Sequence, residues 1–239
     1  MAANLIAGRF VGTAVPRSFG GTFSAECWFR LRSGVSTSQY LLAFNNASGG
    51  VYTIINIRSS LLETWIAASA AAVRTATTTL QAGVLYHACV TSDGTAAGTR
   101  VYLNGVSEGV TGAAIPGTPS HTGVFAIGGR EASSAVDRNL VDGQIGLVRV
   151  YDVVLTPTEV ANRYADPATY DYVTSKAANL CVRADLEDDL VVRNGVDATT
   201  VTLTAGTGTT AALTASRSLA TGIPPPIAIY KPGEAQASG

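Results

Sequence analysis

The chain has 239 residues with 17 acidic and 16 basic side chains, a formal net charge of -1, 46% hydrophobic residues and 14% charged ones, against roughly 25% charged in a typical soluble domain. There is no basic excess to supply the phosphate contacts of a nucleic-acid binder, and the apolar content is too high for a disordered chain. No window approaches the ~18 continuous apolar residues of a membrane span, so neither nucleic acid nor membrane insertion is expected.

The first residues, Met1 to Phe10, have no charged n-region and too short an apolar stretch for a signal peptide, so synthesis in a reducing cytoplasm is expected. Cys27, Cys89 and Cys181 are odd in number and lack CxxC spacing. They predict three buried thiols in place of a disulfide framework or a zinc site, and no cofactor.

From Phe23 the chain alternates. Phe23, Ala25, Cys27, Phe29 and Leu31 fall on one face and Glu26, Trp28 and Arg30 on the other, period two over nine residues. Further strand-like runs follow at 40–44, 51–57, 62–67, 84–90, 100–103, 124–127 and 144–151, separated by Gly/Asn/Asp/Pro clusters. Asn104-Gly105 after Val101-Tyr-Leu103 predicts a type I′ hairpin turn, which needs φ > 0 at both central residues. Many short strands with almost no helical periodicity predict a β-sandwich or barrel.

One helix interrupts the strands. Thr156 is read as N-cap, Pro157 at N1 and Glu159 at N3 to close a capping box, with Val160 and Tyr164 sharing a face and Asp166-Pro167 as the stop. It is about two turns long and is expected across an edge or end of the sandwich. Beyond Tyr170, residues 179–190 and 191–203 offer another strand pair around the acidic turn Asp185-Leu-Glu-Asp-Asp189. From Ala205 the chain is Thr/Ala/Gly-rich, then carries Pro224-Pro225-Pro226, which favours extended polyproline II. Ile223, Ile227, Ile229 and Tyr230 around that triplet are apolar enough to dock on a partner. The domain reading is a sandwich over 1–170, an added strand pair over 171–204 that completes an edge of the sandwich or of a neighbour, and a docking tail over 205–239.

Three blocks in order resemble the laminin-G-like and pentraxin branch of the concanavalin A-like lectin/glucanase superfamily. They are Phe23-Ser-Ala-Glu-Cys-Trp-Phe29; Tyr86-His-Ala-Cys-Val-Thr91 with Asp93-Gly94 and Val101-Tyr-Leu-Asn-Gly105; and Ile127-Gly-Gly129 with Asp142-Gly-Gln-Ile-Gly-Leu-Val-Arg-Val-Tyr-Asp152 and Leu155-Thr-Pro-Thr-Glu-Val160. The resemblance implies an all-β fold: an antiparallel two-sheet jelly-roll sandwich with one short helix and an extended C-terminal segment. It also implies departures. The family's aspartate in the third block is Gly146 here, and the acidic residue that often follows is Leu147. The positions matching the pentraxin calcium ligands fall near Arg130-Glu131 and Gly50-Val51, too few carboxylates for six to eight oxygens. Cys89 matches one half of the pentraxin disulfide, but Cys27 is one residue off the other, which turns it to the opposite face; both are expected reduced. The family's usual opening strand is missing before Phe23, and a look-alike at 180–204 is expected to fill that place.

No catalytic carboxylate motif is present, so catalysis is not expected. The acidic turn at 185–189 reads as solvated, with a surface calcium cluster as the alternative. His87 reads as a hydrogen-bonded strand histidine and His121 as exposed in a Pro/Gly/Ser loop. For a ligand, the polar loop residues Arg130, Glu131, Asp137, Arg138, Asn139 and Asp142 are the candidates to fork sugar hydroxyls, with Trp65 or Tyr52 as an aromatic platform.

Two functions remain. One is a structural protein that assembles with protein subunits of a larger particle, as a homo-oligomer. Laminin-G-like domains also serve as tailed-phage surface proteins, and by that resemblance a virion decoration or tail-appendage role on the virion surface is expected. The assembly candidates are Ile223, Pro224, Pro225, Pro226, Ile227, Ile229 and Tyr230. The alternative is an extracellular carbohydrate-binding module that recognises a cell-surface glycan. The charge deficit favours a surface covered by neighbours, since a soluble surface usually wants about 25–35% charged residues.

Overall fold

The computed structural model describes residues 2–8, 10–12, 18–32, 38–45, 51–66, 74–108, 121–129, 141–167, 176–184, 191–193, 200–202, 204–205 and 215–216. Numbered in chain order, the larger sheet holds β1 (Ala2–Gly8), β3 (Thr22–Leu31), β8 (Leu85–Asp93), β9 (Arg100–Leu103), β10 (Val106–Glu108), β12 (Val141–Tyr151), β13 (Leu180–Ala184), β14 (Val191–Arg193), β15 (Thr200–Thr202) and β17 (Ala215–Ser216). The smaller sheet holds β2 (Phe10–Gly12), β4 (Gln39–Asn45), β5 (Val51–Arg58), β6 (Leu61–Ile66), β7 (Arg74–Thr75), β11 (Phe125–Ile127) and β16 (Thr204–Ala205). Among the described residues every pairing is antiparallel, and the two-sheet sandwich that the family resemblance implied is present.

Phe23, Ala25, Cys27, Phe29 and Leu31 of β3 point between the sheets and meet Leu42, Phe44, Ile55, Ile57, Leu62, Phe125 and Ile127 from the smaller sheet, all within one buried cluster. Alternation thus sorts β3 as the sequence implied. Cys27 lies in this core. Cys89, paired in register beside Glu26, belongs to a second apolar cluster on the other face of the larger sheet. Cys27, Cys89 and Cys181 are all buried, and none is in a disulfide.

That second cluster exists because α1 (Pro157–Ala165) covers it: Val160 and Leu155 pack with Cys89, Tyr102, Tyr151 and Leu180. The capping box is formed as read, with Glu159 N donating to Thr156 Oγ1 and Thr156 N donating to Glu159 Oε2. The helix lies over the outer face of the larger sheet, not across an edge or end of the sandwich. Tyr164 stacks on Trp28 of β3 at 5.7 Å, and a Cβ on Gly105, in the β9–β10 turn, would come within 3.0–3.2 Å of Tyr164 and Ala161. Asn104 (φ 51°) and Gly105 (φ 78°) both adopt the positive φ of a type I′ turn.

Two further expectations are corrected. The chain before Phe23 does contain strands: β1 pairs with the first half of β12, through Ala3–Ile145 and Leu5–Gly143, and β2 pairs with β11. β13 pairs with the second half of the same edge, through Val148–Ala184 and Val150–Val182. The handover falls at a bulge in β12 between Gly146 and Arg149, where Leu147 has φ 51°. His121 is not exposed. It forms an isolated bridge with Phe19, donates from Nδ1 to the Phe19 carbonyl at 3.2 Å, and stacks on the Phe19 ring at 4.3 Å. The turn signals around it marked a loop correctly, but its ring closes the core between Phe19, Phe23 and Phe44.

Candidate functional site

Glu26 points from β3 toward α1, where Oε1 accepts from Arg163 Nε at 3.0 Å and Oε2 pairs with His87 Nε2 at 3.0 Å. A carboxylate only accepts, so His87 donates through Nε2, and Nδ1 is left without a partner. Burial by itself would raise the Glu26 pKa; the His87 hydrogen bond and the Arg163 charge outweigh it and hold the carboxyl below its usual range. All three side chains are 0–1% exposed. This cluster anchors the helix and offers nothing to a ligand. His87 therefore has the hydrogen-bonded role read for it.

The outer face of the smaller sheet is different. In register, Asn56 of β5 faces Glu63 of β6, Ile54 faces Trp65, and Tyr40 of β4 faces Asn56. Ile55, Ile57, Leu62 and Ile66 take the inward positions, so alternation puts Asn56, Arg58, Glu63 and Trp65 together on the other face, where Asn56 and Glu63 are buried, Trp65 is half-buried and Arg58 is exposed. Trp65 Nε1 donates to Glu63 Oε2 at 3.1 Å, which fixes the indole, and Asn56 Nδ2 approaches the same oxygen at 3.5 Å. The Arg58 guanidinium carbon sits 5.8 Å from the Trp65 ring centroid. Glu63 Oε1 has no hydrogen-bond partner among the described residues. The result is a half-buried indole, a carboxylate oxygen and an exposed guanidinium on one face. That is the equipment for stacking an apolar sugar face and forking its hydroxyls.

Of the two platforms read from sequence, Trp65 is the one whose side chain is described; that of Tyr52, on β5, lies outside the described residues. Arg130, Glu131, Asp137, Arg138 and Asn139 also lie outside them, as do the assembly candidates Ile223, Pro224, Pro225, Pro226, Ile227, Ile229 and Tyr230, and the turn at 185–189. Asp142 opens β12. Its carboxylate pairs with Arg32 at 3.2 Å and its N–H donates to Gln39 Oε1. It is thus part of the fold's own bonding at one end of the sandwich, beside a cavity of ≈ 400 Å³ lined by Arg30, Leu31, Arg32, Gly83, Gly143 and Gln144. A second cavity of ≈ 650 Å³ lies where β3 begins, with Asp93 and Asp152 in its wall. Among the described residues no group of three or more His, Cys, Asp or Glu side chains is placed to hold a metal ion. Asn56, Arg58 and Glu63 were not singled out from sequence. Their signal was the period-two pattern of β5 and β6, but grouping them with Trp65 requires the β5–β6 register.

Residues 11–161 match the family profile described as the concanavalin A-like lectin/glucanases superfamily. No curated protein sequence matches the chain. Among solved structures, it is similar to the heptameric SAP-like pentraxin of Limulus polyphemus, at 15% identity over 69% of this chain and 78% of that one, TM-score 0.56. It is also similar to a protein of Bacteroides ovatus named "putative carbohydrate binding protein", at 18% identity and TM-score 0.57, over 90% of this chain but only 61% of the other. A third is domain 4 of AbnA, a GH43 extracellular arabinanase from Geobacillus stearothermophilus, in complex with arabinotriose, at 18% identity over 67% of this chain and 75% of that one, TM-score 0.50. At these identities the likeness is one of fold.

Proposed function

Because the chain belongs to the concanavalin A-like lectin/glucanase superfamily, we propose that it is a non-catalytic, lectin-like module that binds carbohydrate on the outer face of the smaller sheet. The observation that carries this reading is the Trp65–Glu63–Arg58 set, in which the indole is held by a carboxylate whose other oxygen has no partner among the described residues. A sugar ring stacks on Trp65, Glu63 Oε1 accepts one hydroxyl, and Arg58 donates to another. Support also comes from two similar folds, one named as carbohydrate binding and one bound to arabinotriose. Binding is favoured over hydrolysis because Glu26, whose carboxyl has a histidine and an arginine beside it, is sealed beneath α1. A glycan array probed with the wild type and with Trp65→Ala tests the reading: retained spots that vanish in the variant support it, and an array with no retained glycan rejects it.

A second reading is a subunit of a larger particle, on a virion surface or elsewhere. It is supported by the 14% charged content and by β10, an edge strand whose Val106 is 63% exposed. Native mass decides it: a strict monomer removes this reading and leaves the glycan-binding one in place.

A further inference from the structure

The cavity at the end of β3 carries a guanidinium, that of Arg30, with no counter-ion among the described residues. Arg30 of β3 and Gln144 of β12 are direct neighbours in register, and Trp28 lies two residues before Arg30 on the same face. Arg32 is paired with Asp142. Arg30 makes no hydrogen bond or ion pair with any described residue; its Nε is buried without an acceptor. Gln144 Oε1 and Trp28 Nε1 are buried without partners too. Of these, Arg30 and Gln144 line the cavity, and two bare polar atoms side by side are uncommon, because each costs free energy that a partner would recover.

The backbone keeps the cavity open. A Cβ on Gly143 would fall 2.1 Å from the Arg30 carbonyl oxygen, so β12 approaches β3 at a distance only glycine allows. On the opposite wall, Gly83 has φ +79° and nothing within 4 Å of its Cβ position, so space remains above it. The cavity of ≈ 400 Å³ is large enough for one sugar ring.

The ligand follows from the groups. A planar guanidinium without a counter-charge among the described residues suits a carboxylate, which it holds bidentately. The Gln144 amide, acceptor and donor in one, suits a hydroxyl. We propose that this cavity binds an acidic sugar residue of the uronic acid type, its carboxylate on Arg30 and an adjacent hydroxyl on Gln144. The proposal takes from the glycan-binding reading only that the ligand is a sugar. Its site is separate, on the larger sheet.

The test is an amide-shift NMR titration with sodium D-glucuronate, D-glucose and acetate at matched ionic strength. Glucuronate is expected to give saturable shifts at Leu31, Gly83 and Gly143, at least tenfold tighter than either glucose or acetate and weakened by salt. Arg30→Gln is expected to lose at least tenfold in affinity, Arg30→Lys to fall between, and Gln144→Glu to lose binding by placing a negative charge in the cavity. Trp65→Ala is expected to leave the titration unchanged. Thermal melts establish that each variant is folded, and Arg30→Lys and Gln144→Glu stand in if Arg30→Gln is not. Absence of saturable shifts, equal binding of glucose, equal binding of acetate, or an Arg30→Gln titration like the wild type overturns the proposal. Glucuronate binding in a chain that retains no array glycan through Trp65 would leave this site standing and sink the Trp65 reading.

Discussion

Glu26 on β3 and Arg163 on α1, 137 residues apart in sequence, meet in a 3.0 Å ion pair with both side chains 1% exposed. Around it, Arg163 also donates to the Pro167 carbonyl just past the helix, and Tyr164 covers Trp28 and His87. Removing one partner leaves the other charge buried and bare, which costs about 3–5 kcal/mol. Glu26→Ala is expected to lower unfolding free energy by that amount in urea denaturation. The folded pKa of Glu26 lies below its ordinary 4.5. Its stabilisation is therefore full above that value and is lost as pH falls through the folded pKa. The pH dependence below 4.5 is expected to be shallower in Glu26→Gln.

His121 gives a second window. Burial pulls its pKa down to about 4 from 6.5, against the smaller opposing effect of its bond to the Phe19 carbonyl. The unfolded chain binds the proton first, so stability is full above 6.5 and declines as pH falls from 6.5 toward 4, by up to about 3 kcal/mol. His121→Phe, which keeps an aromatic ring against Phe19, is expected to remove that decline. Urea midpoints measured from pH 7 to pH 4 check it; an unchanged slope contradicts it.

Ser59 (φ 52°) and Ser60 (φ 64°) form the β5–β6 turn in the left-handed region, where Asn-Gly is favoured. The double variant Ser59→Asn, Ser60→Gly is expected to raise stability by about 1 kcal/mol, because an L side chain costs roughly 1–2 kcal/mol there and glycine gives part of that back in entropy. A thermal melt reads it directly. A lowered midpoint would mean the serine side chains make contacts worth more than the strain.

The thiols are expected to be silent. Burial raises the Cys27 and Cys89 pKa values, and the Glu26 charge adds to it; the thiolate is the reactive form. Labelling by a thiol-specific disulfide reagent is expected to follow global unfolding in urea. Fast labelling of the native chain, or a Cys27–Cys89 bond in a non-reducing peptide map, would contradict this placement.

Much of this was legible in the sequence. The inward face of β3, the capping box of α1 and the Asn104-Gly105 turn are local patterns, and local patterns survive without tertiary information. The burial of Glu26 was not legible, and His121 was read as exposed, for a common reason. Alternation assigns Glu26 to the outer face, and only α1, folding back from 137 residues away, makes that face interior. Loop composition puts His121 in a turn, but the bridge to Phe19 makes it core. The Ser59-Ser60 turn carries no glycine or asparagine signal, so β5 and β6 were found but the joint between them was not. The same joint sets the register that gathers Asn56, Glu63 and Trp65. The site was therefore visible as a tryptophan and invisible as a constellation.

The central claim, carbohydrate binding on the Trp65 face, is tested most directly by calorimetric titration of one array-selected oligosaccharide into the wild type and into Trp65→Ala. The account predicts saturable binding to the wild type and at least a tenfold loss, about 1.4 kcal/mol, in the variant, with the urea midpoint unchanged. Equal affinity in the two proteins would contradict it.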